Sequence, residues 1–116
     1  MKGRQFDTTG ITGDVSIVYT LRNKELCRAN SKYPLFSSTH EGYAVLREEV
    51  DEACDEIENI KFMMDVLWTH TKAKEIDKNL ALTLINGIER DAVNAILELV
   101  QVTAMCEKYK KSLLEE

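Results

Sequence analysis

The stretch Ser38-Thr39-His40-Glu41-Gly42-Tyr43-Ala44-Val45-Leu46-Arg47-Glu48-Glu49-Val50-Asp51-Glu52-Ala53-Cys54-Asp55-Glu56-Ile57-Glu58-Asn59-Ile60 decides the fold class. Ser38 and Glu41 have the spacing of a capping box, in which a hydroxyl and a carboxylate satisfy the free backbone donors of a helix start. Beyond them Tyr43, Leu46, Val50, Ala53, Ile57, Ile60, Met64 and Leu67 recur at alternating steps of three and four, the period of one face of a helix. No Gly or Pro interrupts the chain from Tyr43 to Glu75, so the spacing predicts a helix of about 30 residues, roughly 45 Å long.

Upstream, Asp14 is a good N-cap, and Val15, Val18, Tyr19, Leu26 and Ala29 give a first helix that should stop before Pro34. Residues 1–13 are polar and without periodicity, and are expected to form a flexible N-terminal segment ahead of a single domain over 14–116. Downstream, Ile76, Leu80, Leu82, Leu84 and Ile85 read as a separate short helix ending at Gly87. The last element carries two apolar rows, one through Ile88, Ala92, Ala95, Leu99 and Val102, the other through Val93, Ile96, Leu97, Val100 and Ala104. A helix apolar on two sides is packed on two sides. The expected fold is therefore an all-α helical bundle completed by oligomerisation.

Composition agrees with this class and narrows the function. In 116 residues there are one proline and five glycines, few for a turn-rich β architecture. The net charge of −5 argues against duplex nucleic acid as a partner, because phosphate contacts need a basic face. Cys27, Cys54 and Cys106 are odd in number and widely spaced, which points to neither a disulfide framework nor a zinc site. With no apolar run near the ~20 residues that span a bilayer, no membrane is expected and a cytoplasmic setting fits best.

Seven acids lie between Glu48 and Glu58 with no Lys or Arg among them. Like charges three and four apart on a helix repel, and a merely solvated face ordinarily interleaves lysines. Glu48, Glu49 and Glu52 project within a wedge of about 100° over one turn. In the last helix Glu98 stands between Leu97 and Leu99, sharing a face with Asn94 and Gln101. A carboxylate in such surroundings is costly unless it is paired or binds metal. The plain alternatives are a solvated acidic face for the first group and a hydrogen-bonded buried Glu for the second; a Mg²⁺ ion held between the two faces would account for both. No Gly-rich phosphate loop, GxSxG or Cys–His pairing proposes a covalent nucleophile.

The block from Phe36 to Ala53 resembles the opening of MazG-like proteins of phages and bacteria, all-α nucleoside triphosphate pyrophosphohydrolases marked by EExxE on one helix and ExxD on a later one. Glu48-Glu49-Val50-Asp51-Glu52 matches the first motif in full. Glu98-Leu99-Val100-Gln101 is similar to the second, with Gln101 where the wider superfamily has Asp. The resemblance spans roughly residues 33–108. It implies Mg²⁺-dependent hydrolysis of a nucleoside triphosphate, a dNTP foremost, to monophosphate and pyrophosphate. The metal would be held by Glu48, Glu49, Glu52 and Glu98, with Gln101 offering a neutral carbonyl oxygen, and Glu48 and Glu49 would be catalytic. It also implies a homodimer or homotetramer. The alternative expectation is a non-catalytic helical oligomer that serves as a nucleotide-binding or interaction module, kept open by the missing acid at Gln101.

Overall fold

The computed structural model describes residues 14–31, 34–73 and 77–115. The expectations placed on residues 1–13 and on Ile76 fall outside them. Three helices account for most of the chain: α1 over Val15–Ala29, α2 over Thr39–Lys72 and α3 over Lys78–Leu114. The fold is all-α. No helix among the described residues is long and apolar enough to cross a membrane.

The start of α2 follows from local chemistry. Ser38 Oγ accepts from the Glu41 backbone N at 3.1 Å, as the capping box requires. The Glu41 carboxylate reaches one residue further back than expected, accepting from the Ser37 backbone N at 3.2 Å and from Ser37 Oγ at 2.8 Å. Those bonds hold the Glu41 carboxyl below its ordinary range. Asp14 sits at the N-cap of α1, but its carboxylate makes no capping bond; its backbone carbonyl accepts from Ile17 N at 2.9 Å instead.

Helices α2 and α3 form a long antiparallel hairpin, with Gly42 beside Tyr109 at one end and Met63 beside Gly87 at the other. The 37 residues of α3 would span about 55 Å, and the molecule measures 61 × 30 × 26 Å. The hairpin corrects one expectation. Residues 78–87 are not a separate short helix, because α3 runs through Gly87 without a break. A helix-interior glycine costs about 1 kcal/mol relative to alanine, but a Cβ there would stand 2.6 Å from Met63 Sδ, so the missing side chain lets the helices approach.

Helix α1 packs along α3, and Leu26 meets Phe36, Ala104 and Met105 in the main apolar cluster, flanked by Val45, Leu46 and Tyr109. Ser112 Oγ ties the incoming strap to α3, accepting from Phe36 N at 2.8 Å while donating to the Lys108 carbonyl at 2.8 Å. The Lys108 ammonium lies 4.7 Å from the centre of the Phe36 ring. Lys108 is thus buried.

The two interhelix glycines should respond unequally to alanine. At Gly42 a Cβ would lie 2.6 and 2.7 Å from two ring carbons of Tyr109, whose ring also packs edge-on against Phe36. Gly42→Ala is expected to lower stability by about 1–3 kcal/mol. Gly87→Ala meets only a flexible thioether and gains helix propensity, so its stability should change by less than about 1 kcal/mol. Urea unfolding of both variants tests the pair, and equal losses would contradict the assignment of a rigid and a yielding contact.

Candidate functional site

Helix α2 presents its acids by register alone. Glu49 and Glu52 are three apart and lie on the same side of Ala53, beside α3, which returns Glu98 at the same level. One carboxylate oxygen from each of Glu49, Glu52 and Glu98 lies within 4.8 Å of the other two. Of the sequence-derived ligand set, these three are brought together. Glu48 is not one of them: it is exposed, one residue before Glu49, and near enough for its charge to act on that carboxyl. Asn94, on the same row of α3, is half-buried and outside the cluster.

The electrostatics are those of crowded acids. Glu98 is pushed up to about 6, first by burial among the apolar side chains of α3, then by a hydrogen bond with the Glu52 carboxyl and the charges of Glu52, Glu49 and Glu56. Glu49 is raised by burial and by Glu52, Glu48 and Glu25, with partial relief from Arg28. Gln101 moderates the same crowding. With its carboxamide assigned so that donors face acceptors, Nε2 donates to Glu49 Oε2 at 2.8 Å and to Glu98 Oε2 at 3.0 Å. The neutral Gln101 side chain therefore bridges the two carboxylates. Ligation through its carbonyl oxygen would require the amide to turn over.

These groups fit a divalent cation. The donor set is all oxygen, which suits a hard ion, and three carboxylate oxygens from two helices lie close enough to share one.

Against the cluster lies a cleft of about 490 Å³ between α1 and α3, lined by Leu21, Lys24, Glu25, Arg28, Leu97, Val100 and Gln101. It has apolar walls, the cation Lys24, an Arg28–Glu25 ion pair and a shared border with the acids through Gln101. Sequence reasoning selects no cation for phosphate contact. Lys24 and Arg28 were missed because nothing in the spacing of α1 shows that it docks beside Gln101. Their separation by four places them on one helix face, which was the available signal.

The chain matches no protein-family model, no curated protein and no solved structure.

Charge crowding at Glu98 predicts an unusual pH dependence in cation-free solution. Between its ordinary value of 4.5 and about 6, the folded protein holds a proton that the unfolded chain releases. Stability contributed by this group is therefore greatest at the acid end of that window and falls as pH rises through it. The thermal midpoint in a chelator should be higher at pH 5.2 than at pH 7.5. Glu41 and Glu107 are shifted downward and act below this range, so they do not mask the effect. A midpoint that climbs from pH 5.2 to 7.5 would count against a crowded cluster.

Proposed function

We propose that this chain is a Mg²⁺-dependent nucleotide pyrophosphohydrolase of the MazG-like kind, hydrolysing a nucleoside triphosphate to the monophosphate and pyrophosphate. The observation that carries the reading is the convergence of Glu49, Glu52 and Glu98 from two helices onto one point, beside a cleft that offers both a cation and apolar walls. The same three residues belong to the motif pair that resembles EExxE and ExxD.

Glu49, Glu52 and Glu98 would hold the ion. Bound Mg²⁺ supplies positive charge that polarises a phosphoryl group and offsets the charge of the polyphosphate. The chain's own residues do the rest. Lys24 attracts the phosphates into the cleft, beside an Arg28 that is paired with Glu25, while Leu21, Leu97 and Val100 exclude water from the less polar part of the nucleotide. Glu48, outside the three-oxygen cluster and exposed, keeps its carboxylate free to orient the attacking water and take its proton. Filling the site displaces the proton that Glu98 retains below about 6, so loading tightens as pH rises to that value and levels off above it.

A second reading rests on Gln101. Its two donated bonds neutralise part of the cluster without metal, as suits a nucleotide-binding module that does not turn over. One screen separates the two: purified protein with Mg²⁺ and each of the eight common NTPs and dNTPs, assayed for pyrophosphate. Release from at least one nucleotide, abolished by chelation, is the expected result. Calorimetric binding without release would favour the module, and neither binding nor release would remove both readings.

A further inference from the structure

We propose that the hollow between the strap ahead of α2 and the C-terminal turns of α3 binds a small monocarboxylate with an apolar body, whose single negative charge is taken by Lys108. The hollow measures about 370 Å³, at the small end of the range that ligand pockets occupy. Leu35, Phe36, Val45 and Met105 form apolar walls, and Ser37, Glu41 and Lys108 bring the polar groups.

Lys108 is the anomaly that carries the inference. Lysine is almost never buried deeply unless it is paired, yet Lys108 is 7% exposed. Among the described residues its ammonium has no carboxylate partner and donates no hydrogen bond. Its one close relation is the Phe36 ring, whose centre lies 4.7 Å from Nζ. A ring face attracts a cation but brings no counterion. Glu41 feels the charge of Lys108, but its two oxygens are engaged by Ser37, one by the backbone N at 3.2 Å and the other by Oγ at 2.8 Å. Taking an ammonium out of water is costly unless an anion replaces the lost hydration. The hollow that Lys108 lines leaves room for that anion.

The surroundings choose which anion. A group bound at Lys108 also lies in the field of the Glu41 carboxylate, and two negative charges are repelled there about twice as strongly as one. A carboxylate is therefore favoured over a phosphate monoester. Four apolar side chains around one cation require the rest of the ligand to be hydrocarbon. The main wall is preformed: Phe36 is held through its backbone N by Ser112 and edge-on by Tyr109, so little ordering is left to binding. Met105 opposite it is the adaptable wall, since a thioether side chain fits irregular shapes.

The hollow is separate from the acidic cluster. Lys108 lies about 15 Å beyond Glu98 along α3, and no residue that lines the hollow also lines the cleft beside Gln101.

Calorimetry on the whole chain in chelator at pH 7.5, with hexanoate, hexanol and hexylammonium as probes, tests the charge rule. Hexanoate should bind with a Kd of about 1 mM or tighter, at least tenfold more tightly than the other two. Lys108→Met keeps an apolar stem and removes the charge, and should weaken hexanoate at least tenfold, to the level of hexanol. Glu41→Gln should act in the opposite direction and tighten hexanoate by about threefold or more. In wild type labelled at the methionine methyls, hexanoate should shift Met105 and leave Met63 and Met64 in place, a readout that needs no variant to fold. Hexanoate binding no tighter than hexanol would overturn the proposal. So would affinity unchanged in Lys108→Met, a titration that moves Met63 or Met64 but not Met105, or no binding by any probe at about 10 mM, tenfold above the expected Kd. Because pyrophosphate release is not among these readouts, the result stands apart from the catalytic reading.

Discussion

Glu98→Gln is expected to cut Mg²⁺-dependent pyrophosphate release by at least ~10³-fold and, in the same protein, to raise the thermal midpoint measured in chelator at pH 7.5. The two effects share one cause. Glu98 is the carboxylate that α3 brings to Glu49 and Glu52, and its neighbours together with burial push it up to about 6. At pH 7.5 without a cation its charge is unfavourable, so an isosteric neutral amide relieves repulsion and can donate to Glu52. A gain of a few degrees is the order expected for a chain of this length. With Mg²⁺ the ranking should reverse, because the wild type gains binding energy that the variant lacks. Differential scanning fluorimetry with and without Mg²⁺, run beside the pyrophosphate assay, reads both halves. A variant inactive and destabilised in chelator alike would mean that Glu98 is a structural hydrogen-bonding residue, and the metal reading would fall with it.

That opposition between stability and activity is also why part of the site could be read from sequence. Glu98 was legible because an acid among Leu97, Leu99 and Val100 contradicts its surroundings, and such a contradiction has few physical resolutions. Ser38 and Glu41 were legible because a helix cap is settled within four residues. Gly87 misled for the converse reason: its local preference is to end a helix, and only contact with Met63, 24 positions away, reverses that preference. The seam of α2 was half right. Periodicity shows that Tyr43, Val50, Ile57 and Met64 share a helical side with Leu46 and Ala53, but not that α3 covers only the second row. Lys24 and Arg28 could not be selected, since the docking of α1 along α3 depends on Leu26 reaching Ala104 and Met105, a packing choice that no local pattern encodes.

Gln101 is where the two functional readings diverge most, and Gln101→Glu should have the second large effect. The substitution keeps the length of the side chain but exchanges a group that donates to Glu49 and Glu98 for a fourth carboxylate. In chelator at pH 7.5 two hydrogen bonds to charged acceptors are lost and a like charge is added, together worth roughly 2–4 kcal/mol of destabilisation. With Mg²⁺ the sign changes, because affinity for a hard cation grows with the number of charged oxygens. A tightening of about tenfold or more, near 1.4 kcal/mol, is expected by calorimetry. The catalytic reading further requires that pyrophosphate release appear at lower Mg²⁺ concentration than in the wild type. If affinity rises and no nucleotide is hydrolysed by either protein, the cluster is a cation site in a binding module and Gln101 alone does not account for the lack of turnover. If affinity does not change, the three acids do not share an ion, and the crowding at Glu98 is balanced by Gln101 and a retained proton.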